Sequence, residues 1–92
     1  MQNTLNKKQL YKFVKNRGAC RDGLKRLRDY MRTRTAREIL AAYRDIAAFS
    51  VSGRANDYRW LCNSIGLCSY ELPGADIVIR KINSWRATWG KY

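Results

Sequence analysis

Histidine is missing from all 92 residues. With it go the most common general base, the usual activator of a cysteine nucleophile and the usual partner of thiolates in a zinc site. A structural zinc centre would need three thiolates and a carboxylate, an uncommon set. The three cysteines, Cys20, Cys62 and Cys68, are odd in number and lack the spacing of a disulfide framework. Free or buried thiols in a reducing compartment are the expectation. Acidic residues are scarce: seven carboxylates stand against 19 Lys and Arg, scattered with no recognisable pair or metal cluster. There is also no Gly-rich phosphate loop. These absences predict a protein that is not an enzyme, with no metal, no cofactor and no small-molecule substrate. No run approaches the roughly 20 apolar residues that span a bilayer. The opening segment MQNTLNKKQL has no apolar signal core, so an intracellular, cytoplasmic protein with no membrane contact is expected.

What is present is a foldable core under a large positive charge. Hydrophobic residues make up 46% of the chain, with three Trp, six Tyr and two Phe, too many for a disordered segment. A length of 92 residues suits a single domain over 1–92, with one modest core. The formal net charge is +12, and self-repulsion of that size costs stability unless a polyanion relieves it.

Apolar residues recur at helical spacing almost throughout, which predicts an all-α bundle of about five short helices. The first is expected from Asn3 or Thr4, burying Leu5, Leu10, Phe13 and Val14 and ending before Gly18. The second, from about Cys20 to Thr33, carries the stripe Cys20, Leu24, Leu27 and Met31; Gly23 leaves its start open. Thr35-Ala36-Arg37-Glu38 has the form of a capping box opening a third helix to Phe49. That helix is expected to bury Ile39, Leu40, Tyr43 and Ile46, with Ala47 and Phe49 as further core candidates. Its alanines let neighbours approach closely, which predicts a central position. A fourth helix, capped by Ser52 or Asn56, places Tyr58, Leu61, Cys62 and Ile65 on one face and ends at Gly66. Leu72-Pro73-Gly74 is a turn. The last helix, Ala75 to Trp89, carries Val78, Ile82, Trp85 and Trp89 on one stripe. The β-branched run Ile77-Val78-Ile79 is the one place where a short strand, near 77–80, competes with helix.

The charge is lopsided: residues 1–37 hold twelve basic residues against Asp22 and Asp29, while 38–92 hold seven against five. Ordinary solvated helix faces intersperse both signs, so this band predicts contact with an anionic partner. The candidates are Lys12, Lys15, Arg17, Arg21, Lys25, Arg26, Arg28, Arg32, Arg34 and Arg37. Arg predominates among them, and a guanidinium grips phosphate or carboxylate through two parallel hydrogen bonds. Trp60 and Tyr92 are candidate aromatic contacts, since Trp60 lies off its core stripe and Tyr92 follows a basic, aromatic C-terminal segment. No helix-turn-helix, zinc finger or RNP motif is present.

In overall profile, as one small basic domain with no module signature, the chain resembles phage-encoded inhibitors of host nucleic-acid machinery of the anti-CRISPR and anti-RecBCD type. The resemblance covers no particular residues and assigns no site. It implies a host cytoplasmic location and a host protein machine as partner. Two expectations follow: direct binding of DNA or RNA through backbone phosphates, or docking on a nucleic-acid-processing complex through an aromatic and Arg hot spot. Under the first, reversing Arg26, Arg28 and Arg32 should abolish binding with little loss of fold. Under the second, truncating Tyr92 or Trp60 should matter more.

Overall fold

The computed structural model describes residues 5–49, 53–68 and 74–89, with side chains to Trp85. Five helices occupy them: α1 (Lys7–Asn16), α2 (Arg21–Met31), α3 (Ala36–Phe49), α4 (Gly53–Ser64) and α5 (Ala75–Trp89). Among the described residues there is no strand, and 77–80 lie inside α5. Ile77-Val78-Ile79 is helical because the stripe that continues through Ile82 buries Val78, Ile79 and Ile82 together. Packing overrides the β-branched preference.

Several helix boundaries have a local cause. Asn6 caps α1: its side chain accepts from the Gln9 N–H at 2.8 Å and the Gln9 side chain accepts from the Asn6 N–H at 3.1 Å. This box moves the start from the expected Asn3 or Thr4 to Lys7. Leu5 before the cap and Leu10 after it both enter the core, the pattern of a hydrophobic staple. Thr35 and Glu38 form the expected box at α3, at 2.8 and 3.2 Å. Gly18 (φ 89°) and Gly66 (φ 82°) end α1 and α4 in the left-handed conformation. In both, the next residue's N–H returns to a carbonyl five back, Ala19 to Val14 and Leu67 to Cys62, which is the Schellman closure.

α3 lies at the centre, touching α2, α4 and α5. One cluster contains Leu10 and Phe13 of α1, Leu27 of α2, Ile39, Leu40 and Tyr43 of α3, Tyr58, Leu61 and Cys62 of α4, and Val78 and Ile82 of α5. The Cα radius of gyration, 12.2 Å, is that of a single folded body of this length, about 12 Å. No helix among the described residues is long and apolar enough to cross a membrane.

Several core expectations are corrected. Cys20 is exposed and is the N-cap of α2, its Sγ accepting from the Gly23 N–H at 3.4 Å. Phe49 is 91% exposed, because the last turn of α3 carries it past the core. Ile46 is only half-buried. Asn56 lies within α4 and caps nothing; Ser52, Trp89's side chain and Tyr92 fall outside the described residues.

Candidate nucleic-acid interface

α1 and α2 lie side by side, the start of one against the end of the other, where the Lys7 ammonium donates to the Met31 carbonyl at 2.7 Å. A cation at that position satisfies a free carbonyl and opposes the negative end of the helix dipole. Along α2, Leu27 is buried and Met31 packs against the core, while Leu24, expected on the same stripe, is half-buried and lies outside that cluster. The residues one position on, Arg21, Lys25, Arg28 and Arg32, recur at intervals of four, three and four. They therefore form a second stripe rotated by about 100°, roughly 16 Å long.

That stripe faces a shallow groove completed by Tyr11 and Lys15 of α1 and by Leu24 and Asp29 of α2. Five cations thus line one groove with one carboxylate. Lys15, Arg21, Lys25, Arg28 and Arg32 are all exposed and make no ion pair among the described residues. Lys12 is exposed on α1 but does not line the groove.

The other candidates are placed elsewhere, and four have internal roles. Arg26 bridges α2 to α4, its Nε and one terminal nitrogen donating to the two Asp57 carboxylate oxygens at 2.7 and 2.8 Å. The same carboxylate raises the Arg26 pKa above its ordinary value, chiefly through these hydrogen bonds. The pair is closely packed: a Cβ at Gly23 would lie 3.3 Å from Asp57 Oδ1, and one at Gly53 would lie 3.0 Å from the Arg26 guanidinium carbon. Arg26 therefore belongs to the fold, contrary to the expectation that it could be reversed at little cost. Arg17 turns inward too: its guanidinium lies 3.6 Å from the Trp85 ring centroid and 5.5 Å from that of Phe13. Desolvation there lowers its pKa from the ordinary value. Arg37 pairs with Asp76, tying the start of α3 to α5. Arg34 lies 4.7 Å from the Tyr30 ring centroid, and Arg54, which the sequence did not single out, lies 5.0 Å from the same centroid. Tyr30 in turn meets Tyr43 edge-on at 5.4 Å.

Trp60 is half-buried and packs against the core, so it offers less contact surface than its off-stripe position suggests. The inward turn of Arg26 had one sequence signal, a glycine inside a helix, which marks a close approach. For Arg17 stacked on Trp85, composition and spacing carry no signal. The three cysteines are free thiols, and burial pushes Cys62 up to about 11. Comparison with known protein families, curated proteins and solved structures yields no match to the chain.

Proposed function

We propose that this protein binds nucleic acid through backbone phosphates in the α1–α2 groove, as a non-catalytic binding protein. The observation that carries the reading is the stripe Arg21, Lys25, Arg28, Arg32, joined by Lys15 across the groove. A phosphodiester strand offers about one negative charge per 3.4 Å of duplex axis, so a 16 Å stripe is long enough to follow several phosphates of one strand. Arg supplies paired donors and Lys point charges. The groove offers no deep pocket for a base, and Tyr11 at its edge supplies one stacking face. Contacts of this type give affinity with little sequence preference.

The test is fluorescence-anisotropy titration of labelled single-stranded and duplex DNA and RNA over a range of salt. Five phosphate contacts predict a slope of log K against log salt of about −4.5 on duplex DNA and about −3.5 on single strands. Arg28→Ala or Lys25→Ala should make the duplex slope shallower by about 0.9. Lys81→Ala, on the exposed face of α5, should leave it unchanged. Weak binding to every substrate at physiological salt would overturn the reading.

A second reading is docking on an acidic protein surface of a nucleic-acid-processing complex. It is favoured by Phe49, the exposed large hydrophobic among the described residues. Phe49→Ser would then reduce capture of that complex more than loss of any single groove cation.

A further inference from the structure

The basic groove is lined by more than cations. Tyr11 of α1 and Leu24 of α2 are set among its five positive side chains. Tyr11 stands one turn before Lys15, and Leu24 lies between Arg21 and Arg28, one turn from each. Tyr11 is half-buried and packs against the core, which holds its ring in place at the groove wall. Leu24 has the spacing of a core residue, yet it is half-buried, lies outside the core cluster and lines the groove instead. A row of phosphates makes no use of either side chain, whereas a ligand with an apolar face gains by covering both. The groove takes in about 960 Å³, near the upper end of the range of small-molecule sites, so bases have room to lie along it beside the phosphates.

Duplex bases cannot supply that face. The cations line a groove that α2 shares with α1, so a major groove would have to admit both helices to reach them. Each helix is about 10–12 Å across and the major groove about 12 Å wide, so the pair does not fit. A duplex can lay phosphates along the stripe, but its paired bases leave Tyr11 and Leu24 in water. We infer that the ligand of this groove is single-stranded nucleic acid, whose phosphates follow the α2 cations while one unpaired base stacks on Tyr11 and another covers Leu24. This rests on the phosphate-binding reading and narrows it. A cationic track with an aromatic platform is the combination that holds single strands without reading sequence. The contacts are to phosphate and base face, so ribose and deoxyribose strands are both accepted.

Fluorescence anisotropy with the full chain separates this inference from the reading it rests on. The probes are a thymidine oligonucleotide of about twelve nucleotides, a uridine strand and a duplex of the same length, and an equally long strand of abasic sites, which keeps the phosphates and lacks the bases. At physiological salt the thymidine and uridine strands should bind at least about tenfold tighter than the duplex, the effect of one stacked base, although the duplex has the denser charge. The abasic strand should bind about tenfold more weakly than the thymidine strand with the same slope of log K against log salt, because no phosphate contact is lost. Tyr11→Leu keeps apolar bulk against the core and removes the stacking ring. It should weaken the thymidine strand about tenfold and leave the duplex and the abasic strand within about twofold, while Tyr11→Phe should match the wild type. If Tyr11→Leu does not fold, the abasic comparison on the wild-type protein decides alone. A duplex that binds as tightly as the thymidine strand, or an abasic strand that does so, would overturn this inference and leave the phosphate reading standing. Weak binding of all four probes would overturn both.

Discussion

Single residues decide which cations belong to the fold and which to the surface. Arg26 and Arg28 are two positions apart in a strongly basic helix, and composition treats them alike. One closes on Asp57 across a helix–helix interface, while the other stands in solvent. The difference lies in what faces each position: Arg26 meets Asp57 of α4, with Gly23 and Gly53 packed close beside the pair, whereas Arg28 lines the groove. The Arg26 side chain is 36% exposed and that of Asp57 19%, so solvent screening limits what the pair is worth. Asp57→Ala should therefore cost about 1–2 kcal/mol in urea unfolding, with much of the loss coming from a half-buried guanidinium left without its acceptor. Phosphate affinity in the same variant should stay within about twofold, because Arg26 does not line the basic groove. A double-mutant cycle with Arg26→Ala separates the coupling from the loss of packing.

At the level of elements, the helices were legible because each carries an apolar stripe at helical period and most have a boundary signal in the chain itself. Thr35 with Glu38, Gly18 and Gly66 each do what their residue type predicts. The misplaced start of α1 has the same kind of cause: Asn6 and Gln9 are as good a box as Thr35 and Glu38, but a polar opening stretch offers several competing caps. Less legible was which members of a stripe reach the core. Cys20 has the right spacing with Leu24 and Leu27, yet it stands at the cap, where the chain is not yet helical. Phe49 has the right type but extends past the last packed turn. The basic stripe of α2 could be read from its intervals; its alignment with Lys15 needed the packing of α1. The α3 cap can be tested directly. Thr35→Ala removes the acceptor for the Glu38 N–H and should cost about 1 kcal/mol, with faster amide exchange confined to the first turn of α3. The Thr35 N–H and hydroxyl together hold the Glu38 carboxyl below its ordinary 4.5. The stability from that interaction is present above pH 4.5 and is lost as pH falls through the lowered value; Thr35→Ala keeps the backbone donor, so it should lose stability in acid nearly in parallel with the wild type, and the gap from the missing Oγ1 acceptor should persist.

Across the whole molecule, charge and core are separated. The charged side chains of the described residues are exposed or half-buried, and no polar or charged residue among them is buried. The core nevertheless holds three groups that ionise in alkali: Cys62, Tyr43 and Tyr58, each kept neutral chiefly by burial. In the unfolded chain the thiol begins to lose its proton near pH 9 and the phenols near pH 10, whereas folded Cys62 holds its proton to about 11. Over that interval the native state binds more protons than the unfolded state, so unfolding free energy falls as pH rises. The stability is fully present below pH 9 and is lost progressively as pH climbs through 11. Melting curves at fixed ionic strength should show the midpoint flat from pH 7 to about 8.5 and declining beyond it. Cys62→Ala should start less stable, because removing the sulfur leaves a void in a packed core, but its midpoint should stay flat until pH 10, where the tyrosines take over. Fixed ionic strength matters because the surface cations repel one another, and a change in screening would move the midpoint independently of the core. An unchanged alkaline decline in Cys62→Ala would assign the effect to the tyrosines alone.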